Sequence, residues 1–126
     1  MVHMFSYTNG VSYDLAIFEN PGKVLKRLRF EIAGNTGIKS EYRVTNLVLD
    51  KIESMYVARF IFLPVIDGPD GSPIDLPTSQ ALSYLNQTIN DNEFEFSLEL
   101  NDIRTSFNGV PSSLLTSDDG ISFHLS

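Results

Sequence analysis

The sequence predicts a mainly β domain, an antiparallel β-sandwich or flattened barrel carrying one short α-helix at about 79–90. Three observations predict it. Apolar and polar residues alternate at 11–17, 24–32 and 93–100, the period of a strand with one face buried. Asn9-Gly10, Asn108-Gly109 and Asp119-Gly120 are dipeptides that supply the positive φ of tight hairpin turns. Tyr42, Val44, Val48, Val57, Phe60, Ile61, Phe62 and Val65 crowd one stretch, and such side chains suit a pleated, half-buried surface.

In chain order, residues 5–7 and 11–17 flank Asn9-Gly10 and read as a hairpin. Asn20-Pro21-Gly22 then reads as a type II turn, with proline fixing φ and glycine taking the left-handed position. The next strand sets Val24, Leu28, Phe30 and Ile32 on an inner face and Arg27, Arg29 and Glu31 on the outer one. Lys26 interrupts the inner face, its aliphatic stem lying on the core and its ammonium reaching water. Gly34-Asn35-Thr36-Gly37 ends the strand by turn chemistry.

Residues 41–65 admit a helical stripe through Leu47, Ile52, Met55 and Phe60, but β-favouring composition and the polar stretch at 50–54 select two strands. The second, about 55–63, is apolar on both faces except at Arg59, which suits a central position. Residues 64–78 form a long loop with four of the six prolines and Gly68 and Gly71. Thr78 or Ser79 then caps the helix, whose Ala81, Leu82, Leu85 and Ile89 keep helical spacing. Phe94, Phe96, Leu98 and Leu100 alternate with Glu93, Glu95, Ser97 and Glu99, and Ile121, Phe123 and Leu125 give a closing strand.

A length of 126 residues fits one domain spanning 1–126, because two cores of half that size would each be marginal. Met1-Val2-His3 reads as a cloning remnant ahead of Met4, with no secretion signal, so the expected location is cytoplasmic or within an assembled particle. The absence of cysteine excludes disulfides, thiolate metal sites and cysteine nucleophiles. The longest apolar stretch, 55–66, is broken by Arg59 and Pro64 and falls short of the roughly 20 residues of a spanning helix; no membrane partner is expected. Net charge is −7, divided as +2 over residues 1–59 (eight basic, six acidic) and −9 over 60–126 (one basic, ten acidic).

That division makes Lys26, Arg27, Arg29 and Arg43 candidates for an anionic ligand or partner, and Glu95 and Glu99 candidates for a basic one. The plain structural alternative is that Arg27 and Arg29 face Glu93, Glu95 and Glu99 across neighbouring strands, each pair contributing roughly 0.2–1 kcal/mol. Nucleic acid is an unfavoured partner because a net acidic protein repels polyanions, whereas a small anionic ligand is less affected. Asp67, Asp70 and Asp75 offer hard oxygen ligands suited to calcium, in an order that does not match the helix–loop–helix calcium pattern; beside glycine and proline they also read as ordinary turn residues. No other cofactor is expected.

No nucleophile elbow, zinc-protease, phosphate-loop or dinucleotide-binding pattern occurs, and His124 is the one histidine besides His3. The functional expectation is a non-catalytic binding or assembly module, homo-oligomeric, of the kind that sequesters a ligand or builds a virion or phage particle. The rival is a small enzyme using carboxylates on the strand at 93–99 or in the loop at 67–75.

Overall fold

The structure, a computed structural model, describes residues 15–126. The Asn9-Gly10 hairpin and the leader at 1–3 lie outside the described residues. Helix and strand occur in nearly equal measure, which overturns the β-sandwich or barrel with one short helix. The largest correction is at 24–32, where the expected strand and most of the turns expected on either side of it are instead helix α1 (Pro21–Thr36). Residues 15–19, of which 15–17 were expected to end the strand at 11–17, are also helical.

The reason is local chemistry read with the wrong period. Val24, Leu28 and Ile32, all buried, stand four apart, a spacing that strands and helices share. Lys26 and Phe30 discriminate: a strand would bury both, whereas at 3.6 residues per turn each lies about 200° around the axis from its buried neighbour two residues before. Both are exposed. Pro21 occupies the first turn, where its missing N–H costs nothing, and Gly37 ends the helix at φ 78, its N–H donating to Ala33 O at 3.1 Å. Asn20 closes the preceding helical turn, its Nδ2 donating to Ala16 O at 2.7 Å, and its own carbonyl accepts the Val24 N–H at 3.1 Å.

A single 3₁₀ turn (Glu41–Arg43) leads into β1 (Val44–Ile52) and β2 (Met55–Phe62), so the strand reading of 41–65 holds. Helix α2 (Thr78–Asn90) forms where the helix was expected and buries Ala81, Leu85 and Ile89. Then follow β3 (Glu95–Leu100), β4 (Ile103–Asn108), β5 (Leu115–Ser117) and β6 (Gly120–Leu125). The β3–β4 hairpin turns on Asn101-Asp102, at φ 51 and 63, the two left-handed positions of a type I′ turn.

The strands make a four-stranded antiparallel sheet in the order β1-β2-β6-β5 and a two-stranded β3-β4 ribbon; neither closes. Asn108-Gly109, expected as a turn, is where the two join. Asn108 and Ser126 exchange backbone hydrogen bonds at 3.1 and 2.9 Å, and the Val110 N–H donates to His124 O at 2.9 Å. Glycine is required at 109 by close approach, since a Cβ there would lie 3.2 Å from that of Phe94.

Both helices and the inner face of the ribbon pack on one side of the four-stranded sheet, in a single cluster that includes Leu28, Ile32, Leu85, Ile89, Phe107 and Phe123. Contacting rings run through it: Phe60 meets Phe123, Phe123 meets Phe94, and Phe94 meets Phe96 edge-on, while Phe96 stacks on Phe107 and Phe107 meets Tyr56. No helix among the described residues is long and apolar enough to cross a membrane.

Gly120 opens β6 at φ 129, and a Cβ there would fall 2.6 Å from Phe60 O. Gly120→Ala should therefore destabilise the protein by at least about 2 kcal/mol, from backbone strain plus the displaced β2 carbonyl. Urea denaturation of the two proteins measures it.

Candidate functional site

Arg43 is the most constrained of the expected site residues. It is 7% exposed, and its guanidinium lies 4.8 Å above the Phe62 ring. Nε donates to Leu63 O (3.0 Å), Nη1 to Leu76 O (2.7 Å) and Asp75 Oδ2 (3.1 Å), and Nη2 to Thr78 Oγ1 (3.3 Å). One side chain thereby ties the end of β2, the proline-rich loop and the start of α2 together. Its donors point inward, away from any external anion.

Asp75 completes the clamp. Its carboxylate accepts the backbone N–H of Lys39 on both oxygens (2.9 and 3.0 Å) and that of Leu76 at 2.8 Å. Burial opposes ionisation, but the Lys39 and Leu76 N–H groups, the Arg43 guanidinium and the Ser40 N–H outweigh it and hold the carboxyl below its ordinary value of 3.8. Asp70 Oδ1 accepts the Ser72 N–H at 3.0 Å as a turn residue, and Asp67 pairs with Pro73 in an isolated bridge. Among the described residues, no three His, Asp or Glu side chains gather closely enough to hold a metal ion.

The charged faces do not meet as facing strands, because one of them is a helix. Arg27 Nε pairs with Glu31 Oε1 at 2.8 Å, one turn along α1, and its guanidinium lies 5.7 Å from the Phe96 ring centre. Arg29 Nε donates to Val44 O at 3.1 Å and fastens α1 to β1. On the outer face of the ribbon Glu99 stands opposite Arg104 and Glu95 opposite Asn108. Glu95 and Glu99 are four residues apart on one strand, hence about 13 Å, wider than the roughly 5–9.5 Å of paired hydrolytic carboxylates.

Two surfaces remain. The first is the outer face of the four-stranded sheet, which no described element covers. The register places Val48 opposite Arg59, Asp50 opposite Val57 and Ile52 opposite Met55 on this face, with His124 and Ser122 beside them on β6 and Leu115 on β5. Val48, Ile52, Met55, Ile61 and Leu115 are between 37% and 64% exposed. Arg59 Nε lies 3.4 Å from Asp50 Oδ2 at its centre, and a shallow depression of about 300 Å³ at one end is lined by Arg59, Ile61, Ser117, Asp119, Gly120 and Ser122.

The second runs along α1. A depression of about 420 Å³ is lined by Lys23, Lys26, Arg27, Phe30, Glu41 and Leu98. Beyond Phe30 it continues into one of about 460 Å³ whose lining includes Phe30, Gly34, Ile38, Lys39, Glu41 and Tyr42. A polar recess of about 390 Å³ on the far side of Arg27 brings that residue together with Glu95, Ser97 and Arg104. Of the expected residues, then, Arg27 shares one depression with Lys26 and another with Glu95; Arg29, Arg43 and Asp75 serve the fold. Phe30 and Tyr42 were missed, and a helical reading of 23, 26, 27, 30 and 34 would have found the first. Comparison with protein-family models, curated proteins and solved structures returned no match.

Asp75→Asn should cost about 3 kcal/mol or more, because it leaves the Arg43 charge buried without its counterion. Since the folded-state pKa lies below the unfolded one, the carboxylate's contribution is complete above the unfolded value and is lost as pH falls through the folded value. Acid titration of the native protein below pH 3.8 should show this loss, and the Asn variant should lack that component.

Proposed function

We propose that the chain is a non-catalytic binding and assembly module that self-associates through the open face of its four-stranded sheet. The observation that carries this reading is the row of Val48, Ile52, Met55, Ile61 and Leu115 on a face that no described element covers. An antiparallel sheet facing water ordinarily turns polar residues outward, whereas here exposed apolar side chains flank the Asp50–Arg59 pair, and exposed apolar patches mark interaction sites.

A second copy is the occupant that fits. Asp50 and Arg59 lie side by side at 3.4 Å, their side chains about half exposed, so a two-fold stack sets each acid near the other copy's base, as an isologous contact requires. Pairing of β1 edges is disfavoured by the irregularity between Thr45 and Val48 and by Asn46 at φ 53, since bulges interrupt an edge. The strands, 9, 8, 6 and 3 residues long and about 4.8 Å apart, outline a face of roughly 400 Å². Two such faces reach about 800 Å², below the roughly 1,000 Å² of a stable specific interface, which fits a weak, transient dimer rather than an obligate one.

Sedimentation velocity across a wide concentration range should show a monomer–dimer equilibrium that Ile61→Lys or Val48→Lys moves to monomer. Stability should change by no more than about 1 kcal/mol, because both sites are exposed strand positions. A chain that stays monomeric at the highest concentrations refutes this reading.

A further inference from the structure

Helix α1 turns Lys23, Lys26, Arg27, Phe30 and Gly34 away from the core at spacings of three and four, one continuous stripe on a helix surface. Two features of this stripe have no use within the fold. Phe30 is 60% exposed and Tyr42, on the opposite wall, 73% exposed. Lys23, by contrast, fastens the helix to the β3–β4 ribbon, its Nζ donating to Glu99 O at 2.7 Å. Gly34 sits inside the helix, where glycine costs about 1 kcal/mol relative to alanine, yet among the described residues nothing beyond the helix's own backbone lies within 4 Å of the place its Cβ would take. The fold does not need that space; the floor of a groove does.

We propose that the stripe is a docking groove for an acidic, amphipathic peptide segment of a partner protein. The peptide's apolar side chains sit in the depressions on either side of Phe30, and its carboxylates lie on Lys26 and Lys39. Charge complementarity selects this occupant. Lys26 and Lys39 make no side-chain ion pair among the described residues, whereas Arg27 is engaged by Glu31, so the groove is locally cationic on a chain of net charge −7. Glu41 borders both depressions; an anion there repels a continuous phosphate backbone but is compatible with a peptide whose carboxylates are spaced apart. The stripe from Lys23 to Gly34 is about 16 Å long, the reach of a short helix or extended segment laid in a groove. It belongs to the helical layer rather than the open sheet face, so its occupancy is independent of self-association.

The test pans a displayed library of random 16-residue peptides against the full chain. Enriched peptides should combine an excess of Asp and Glu with apolar residues at regular spacing. Their affinity, measured by fluorescence anisotropy, should fall as salt rises. It should drop about tenfold or more in Lys26→Glu/Lys39→Glu and in Phe30→Ala, with melting temperature and sedimentation behaviour unchanged. Gly34→Gln separates binding from folding, because it should raise the melting temperature through helix propensity while filling the groove and abolishing binding. Failure to enrich any peptide, enrichment of neutral or basic ones, undiminished binding to these variants, or displacement by a single-stranded oligothymidylate that binds more tightly would each overturn the proposal.

Discussion

Phe94 meets Phe123 edge-on at 5.2 Å, and through that contact the β3–β4 ribbon and the four-stranded sheet share one core. The rings continue to Phe60 and Phe62 on one side and to Phe96, Phe107 and Tyr56 on the other. Each such pair contributes about 0.5–1.5 kcal/mol beyond the area it buries. Cations rest on the outer rings, Arg43 over Phe62 and Arg27 over Phe96. The ribbon's own sheet is too small to be stable by itself, so its hydrogen bonds to β6 and this aromatic seam together keep it in the fold.

Gathering every described element on one side of the sheet has a cost visible at the surface. The opposite face keeps Val48, Ile52, Met55, Ile61 and Leu115 exposed around a buried Val57, and α1, committed to the core by Val24, Leu28 and Ile32, carries Lys26 and Phe30 on the reverse. The groups with the tightest geometry, Arg43 and Asp75, are therefore the structural ones. They hold a proline-rich loop in which Gly68 and Ser72 bond across the turn. The outer sheet face and the groove along α1 contain no such buried, converging polar groups among the described residues.

The candidate site was partly legible. Lys26, Arg27 and Glu95 stood out by charge, and charge needs no fold to be counted. Phe30 did not, because a strand reading assigns an apolar residue at an even position to the core. Arg43 was visible as a charge but not as a clamp, since its partners Leu63, Asp75, Leu76 and Thr78 lie 20 to 35 residues away. Nothing local announces such a contact.

From the sequence alone came the α2 helix, the two strands within 41–65, the alternating β3 strand and the Asp119-Gly120 hairpin, each specified by residues within a few positions of one another. The signals for α1 were present as well: Asn20 and Pro21 at its start, Gly37 at its end, and Lys26 out of place in a strand. They lost to an alternation that four-residue spacing satisfies equally. What only the tertiary structure decided was which surfaces stay open. That depends on the side of the sheet the helices choose, a choice set by long-range packing of Phe94 on Phe123 and of α1 on α2; periodicity fixes the apolar face of each element but not its partner.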